Sequence, residues 1–292
     1  MPISSPVEGF RLAYEDHAGD DRPGTGGPVV LLHGWPGDRH DHRELVARLT
    51  GTCRIVVPDL RGFGDSTGPA GADPADFAAD AQARSVLALV EELALGPVVL
   101  AGYDIGSRIA QAAARARPDL VRALVVAPPL PGVGDRVLTP DAQREFWYQP
   151  FHALDLAEQL LDGSPGVVRT YLAHFWSHWS GPDYEPEPAE LDRLAAAYGR
   201  PGAFVASINW YRAGSGAVAR SLAEQPPAPA DRLAVPTTVL WPEHDPLFPR
   251  TWSDRLEQFF SAVELRPLDG VGHFGPLEAP DAFATAIRER LA

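Results

Sequence analysis

Five short apolar runs without a polar interruption constrain this 292-residue chain more than any other feature: residues 29–32, 55–57, 98–100, 123–126 and 238–240. A strand with one wet face alternates apolar and polar positions. A run that is apolar throughout suits a strand covered on both faces, as in a parallel sheet between helical layers. Residues 10–14 read as one further, early strand. Helical patterns fall between the runs at 44–49, 77–95, 107–116 and 282–291. Strand–helix alternation of this kind predicts an α/β architecture: a mostly parallel, doubly wound sheet with right-handed crossovers.

The rhythm stops after Val126. Pro128-Pro129-Leu130-Pro131-Gly132 is a loop signal, and residues 138–222 show helical patterns rich in aromatics with no buried-strand run. A proline-rich stretch, Gln225-Pro226-Pro227-Ala228-Pro229, then leads back to strand. The expected organisation is core over 1–128, an inserted helical cap over 129–228, and core again over 229–292.

Composition narrows the function. Lys plus Arg total 25 against 39 Asp plus Glu, a net charge of −14, which argues against nucleic acid or an anionic membrane as a partner. Every basic residue is Arg. Without Lys there is no Schiff base, no pyridoxal phosphate anchor and no P-loop lysine. The single cysteine, Cys53, excludes an intrachain disulfide and a Cys-rich metal site, and reads as a small buried hydrophobe. No apolar run approaches the roughly 18 residues of a membrane span. The first residues carry neither a basic region nor an apolar one, so the expected location is the cytoplasm.

The chemistry centres on Gly102-Tyr103-Asp104-Ile105-Gly106, which follows the run at 98–100 and opens a helical pattern. A strand, a glycine-flanked turn and a helix form the elbow that lifts a nucleophile clear of a sheet, here with Asp in place of the usual Ser. An Asp in this slot also serves as an ordinary helix cap. As a nucleophile, the carboxylate suits attack on an sp³ carbon. A serine would form an inert ether there, whereas Asp forms an ester that water cleaves at its carbonyl. The electrophile is then an epoxide or an alkyl halide.

Other residues fit the same scheme. His33-Gly34-Trp35-Pro36-Gly37 follows the run at 29–32. In proteins with this elbow that loop supplies one oxyanion-hole N–H, here from Trp35, and Ile105 supplies the second. His33 orders the loop. Gly270-Val271-Gly272-His273 lies before the last helical pattern and offers His273 as general base. Asp245, in Pro242-Glu243-His244-Asp245-Pro246, is its orienting acid, with Glu243 as the near competitor.

Taken in order, His33-Gly34-Trp35-Pro36, the stretch from Asp59 to Ser66, the Asp104 elbow, Asp245 and Gly272-His273-Phe274 resemble the α/β-hydrolase superfamily in its Asp-nucleophile branch, over nearly the whole chain. The stretch from Asp59 to Ser66 reads as structural. Within that branch the chain resembles epoxide hydrolases, with fluoroacetate dehalogenase-like features. Haloalkane dehalogenases carry Trp directly after the nucleophile, where Ile105 stands here. Fluoroacetate dehalogenases hold a substrate carboxylate with two Arg, of which Arg108 matches the second. They hold fluoride with His, Trp and Tyr; Trp147 and Tyr211 match the last two, and Phe146 replaces the His. Trp179 matches one of their pocket walls. Their triad acid follows an earlier strand, where this chain reads Ala127-Pro128-Pro129. Asn209-Trp210-Tyr211-Arg212 resembles the epoxide hydrolase motif whose Tyr polarises the epoxide oxygen. The second donor is either Trp147, by direct alignment, or Tyr148, after a one-residue shift. Arg108 either anchors an anion or pairs with a buried acid.

The resemblance implies conversion of an epoxide to a vicinal diol through an ester on Asp104, with Tyr211 as acid, no metal or cofactor, and a homodimer as a family expectation. Two alternatives remain: a dehalogenase of 2-halo carboxylic acids, and a non-catalytic protein that binds a hydrophobic ligand on the same scaffold.

Overall fold

The computed structural model describes residues 1–19 and 27–292. Among them, seven strands form one sheet: β1 (Tyr14–His17), β2 (Val29–Leu32), β3 (Ile55–Pro58), β4 (Val98–Gly102), β5 (Val121–Val126), β6 (Thr237–Pro242) and β7 (Val263–Leu268). Their spatial order is β1-β3-β2-β4-β5-β6-β7. β1 runs antiparallel to β3, and every other neighbouring pair is parallel. All residues of β2, β3, β4 and β6 are buried, as uninterrupted apolar runs require of strands covered on both faces. β7, at the edge, is largely exposed and tolerates Pro267 there.

Helices α1 (Arg43–Leu49), α2 (Ala79–Glu92), α3 (Ile105–Ala116), α11 (Gly275–Glu278) and α12 (Pro280–Leu291) belong to this sheet. Between β5 and β6 the chain makes seven α-helices and no strand: α4 (Pro140–Glu145), α5 (Tyr148–His152), α6 (Asp155–Leu161), α7 (Pro165–Trp179), α8 (Pro188–Tyr198), α9 (Ala203–Arg212) and α10 (Ala217–Ala223). No helix among the described residues is long and apolar enough to cross a membrane.

Two elements differ from the sequence reading. The early strand lies at Tyr14–His17 rather than 10–14, because Phe10, Arg11 and Ala13 pair with Val7, Thr67 and Ile3 outside the sheet. The turn at Glu8 and Gly9, both with positive φ, folds that segment back on itself. Helix α3 starts two residues before its expected position, directly after Asp104. Cys53 is buried just ahead of β3, and burial pushes its thiol up to about 11.

The strand order fixes where a site can form. From β2 the chain moves outward to β3, then returns to place β4 on the other side of β2. The loops leaving β2 and β4 therefore part in opposite directions, and such a reversal opens a crevice at the carboxyl ends of the strands.

Candidate active site

Asp104 sits in that crevice at the turn from β4 into α3. Its φ of +50° and ψ of −127° lie outside the regions an ordinary side chain prefers. Close approach explains the flanking glycines. A Cβ on Gly106 would stand 2.3 Å from the Leu32 carbonyl oxygen, and one on Gly102 would stand 2.8 Å from the Gly106 backbone. The elbow thus holds the buried Asp104 carboxylate at the helix N-terminus, where backbone N–H groups and the dipole favour negative charge.

The two carboxylate oxygens face different partners. Oδ1 accepts the Trp35 backbone N–H at 2.7 Å. The Ile105 N–H begins α3 and belongs to the first turn, whose amides have no intrahelical acceptor. Oδ2 faces His273, whose Nε2 stands 3.5 Å away, in ion-pair range but without hydrogen-bond geometry. His273 Nδ1 is 2.9 Å from Asp245 Oδ2, and Asp245 Oδ1 accepts the Leu247 N–H at 2.9 Å. Glu243, the competing acid, is exposed and accepts the Gly270 N–H instead. Burial disfavours a charged His273, but the charges of Asp245 and Asp104 outweigh it and push its pKa up to about 10.

The loop after β2 is ordered as its sequence suggests. Leu60 N–H donates to His33 Nε2, so Nδ1 carries the proton and donates to the Gly34 carbonyl at 2.9 Å. Burial lowers the His33 pKa and keeps the ring neutral. Asp59 accepts the backbone N–H groups of Arg39 and Asp65, which makes the following motif a structural knot.

Above Asp104 lies a small cavity, lined among others by Ile105, Tyr148, Tyr211, Pro129 and Phe248. Its free space is about that of a single water molecule. Tyr148 comes from α5 and Tyr211 from α9, with ring centroids 5.5 Å apart at 87°. Tyr148 also stacks on Trp35 at 5.4 Å. Burial pushes both phenols up, and the Asp104 charge adds to the shift, so both are neutral hydroxyls. Gln149 Nε2 donates to the Tyr148 oxygen at 3.1 Å, which leaves the phenol's own proton free to point elsewhere.

The remaining expected residues divide. Trp179 lies edge-on to His273 at 5.0 Å and beside Tyr148 at 5.2 Å. Phe146 is one ring behind the cavity wall, against Phe248. Arg108 reaches the cavity but donates to Glu224 at 2.6 Å and to the Leu130 carbonyl at 3.1 Å, so it is paired with a partly buried acid. Trp147 is the correction. It is 40% exposed and stacks on Phe175 outside the cavity. Adjacent helical residues point about 100° apart, so Trp147 and Tyr148 cannot both face inward. Tyr148 does.

Three contributors carried no sequence motif. Gln149 orients Tyr148, and its Oε1 is held by the Val218 N–H. The Glu278 carboxylate accepts the N–H groups of Gly272, Phe274 and Gly181, pinning the His273 loop to the end of α7. Tyr198 bonds the loop after β2. Behind the tyrosines, His152 is fully buried, with Nε2 2.9 Å from the Tyr171 hydroxyl and its ring 4.8 Å from that of Tyr211. Burial, helped by the Arg212 charge, drives its pKa well below the usual value.

Comparison with known proteins agrees with this fold. The family described as alpha/beta hydrolase fold matches residues 27–280. A soluble epoxide hydrolase of Corynebacterium sp. (strain C12) is 29% identical over 287 residues, covering 94% of this chain and 91% of the relative. Haloalkane dehalogenase 2 of Mycobacterium bovis is 28% identical over 288 residues, covering 96% and 91%. The solved structure of an epoxide hydrolase from Bacillus megaterium superposes with a TM-score of 0.79 at 19% identity over 99% of each chain, a likeness of fold.

Proposed function

The chain belongs to the α/β-hydrolase-fold family, and within it we propose that it is an epoxide hydrolase that forms a vicinal diol through an ester on Asp104. One observation carries the reading: two buried, neutral tyrosine hydroxyls share a small cavity with the Asp104 carboxylate. An epoxide oxygen leaves as an alkoxide and needs donors that give up a proton. A halide needs donors only. Tyr148 and Tyr211 meet the stricter demand.

The oxygen roles follow from the contacts. Oδ1 is held by Trp35, so Oδ2 is the attacking atom. It opens the epoxide from the carbon side while a tyrosine protonates the departing oxygen. The tyrosinate left behind is costly because burial disfavours it. Esterification also removes the Asp104 charge that helped keep His273 protonated. Its pKa falls and its proton returns to the tyrosinate, which makes His273 a base only once the ester exists. Neutral His273, oriented by Asp245, then takes a proton from water, and the hydroxide attacks the ester carbonyl. Charge builds on Oδ1, which the N–H groups of Trp35 and Ile105 receive. Collapse releases the diol with a proton from His273, and the new Asp104 carboxyl returns its proton to His273.

Arg108 lines the cavity, but its two Nη atoms are engaged by Glu224 and the Leu130 carbonyl and only its Nε is unpartnered, which weighs against its serving as a two-pronged anchor for a 2-halo acid. The test is intact mass of the His273→Gln variant mixed with styrene oxide and, separately, with chloroacetate. A gain equal to the whole epoxide supports the reading. A gain of chloroacetate less its chloride moves the protein to the dehalogenases. No gain in either tube sinks covalent catalysis.

A further inference from the structure

The loop that carries the Trp35 N–H is fixed at its ends by the core. His33 holds Gly34, and Tyr103, next to the nucleophile, donates to Asp41 at 2.6 Å. Its middle is gripped from the insertion, at three consecutive residues. Trp176 Nε1 of α7 donates to the Pro36 carbonyl at 3.3 Å. The Tyr198 hydroxyl of α8 donates to the Gly37 carbonyl at 2.7 Å and accepts the Gly37 N–H at 3.0 Å. Arg193 of α8 makes a two-pronged pair with Asp38, at 2.7 and 3.0 Å. Tyr198 and Trp176 are buried, and the Asp38 side chain is 2% exposed.

We infer that Tyr198 and Arg193 are positioning residues for ester hydrolysis, acting through the Trp35 N–H; the inference rests on the ester mechanism above. The charge on Oδ1 explains why one half-reaction is singled out. Oδ1 shares a full negative charge in the resting carboxylate, becomes a nearly neutral carbonyl oxygen in the ester, and takes a full charge as water adds. A displaced donor therefore withholds little from alkylation and much from hydrolysis. Contacts that merely glued the insertion to the core would affect both steps alike, or neither.

The test is single-turnover kinetics of the full chain with styrene oxide, following the ester on Asp104 by rapid quench and intact mass. Tyr198→Phe keeps the ring against Phe63 and removes both hydrogen bonds. It is expected to slow ester hydrolysis by about tenfold and to leave alkylation unslowed, within about twofold of wild type, so that the ester accumulates. Arg193→Gln, at a half-buried side chain, shows the same selectivity at about threefold and serves if Tyr198→Phe does not fold. Equal slowing of both steps, or a wild-type partition between them in the folded variant, overturns the assignment. If His273→Gln takes up no epoxide mass, the functional reading itself fails and this inference goes with it. If it does take up that mass while Tyr198→Phe partitions as wild type, only the positioning role fails.

Discussion

Two fully buried histidines show how the core and the insertion differ. His273, on the core loop before α11, has carboxylates at 2.9 and 3.5 Å, and its pKa is pushed up to about 10. His152, in α5 of the insertion, has a tyrosine hydroxyl and a ring of aromatics, and its pKa is driven far down. Burial is the same in both; the neighbours decide the sign. The core loop sets carboxylates around its histidine. The insertion sets aromatic rings around His152, and burial among them keeps Tyr148 and Tyr211 protonated above Asp104.

The sharpest break in that comparison is Asp104→Ala. Diol formation should fall to background, a loss of roughly 10⁴-fold or more. A single wild-type turnover in ¹⁸O water should leave the label in the Asp104 carboxyl rather than in the diol, read by peptide mass; label in the diol would mean direct attack by water on the epoxide. Insertion changes should instead be graded. Tyr211→Phe and Tyr148→Phe should each cost roughly 10- to 100-fold in alkylation, and the double variant roughly 10³-fold or more. If one tyrosine proves dispensable, the other is the acid.

A gentler contrast lies in thermal stability against pH. The folded pKa of His273 is raised, so its contribution is complete below about 6.5 and lost as pH rises towards about 10. For His152 the folded pKa is lowered, so stability is lost as pH falls below 6.5. Melts of His273→Gln should therefore flatten the alkaline side of the profile, and His152→Gln the acid side. Similar profiles for the two variants would erase the distinction. The smallest effect belongs to Trp147→Ala, which should change kcat/KM by less than about twofold and stability by about 1 kcal/mol or less. A larger loss of activity would place this ring in the substrate path after all.

Much of the core was legible because its information is local. A glycine-flanked Asp after a buried apolar run specifies an elbow, since only glycine allows α3 to pass β2 at that distance. The loop after each strand could be read the same way, and the structure brings Asp104, His273, Asp245, Trp35 and Ile105 to one end of the sheet. The insertion was legible only as helices rich in aromatics. Trp147 and Tyr148 are neighbours of similar character, and the choice between them turns on a single helical step set by packing on Trp35.

The sequence by itself thus determined the doubly wound sheet and the glycine-flanked elbow at Asp104, because strand burial and turn sterics act over a few residues. Only the tertiary structure decided which aromatic faces Asp104, that Arg108 is answered by Glu224 116 residues away, and that Tyr198 grips Gly37 across 161 residues. Those contacts depend on how the insertion settles on the core. That placement is a sum of many weak packing terms, and no single motif encodes it.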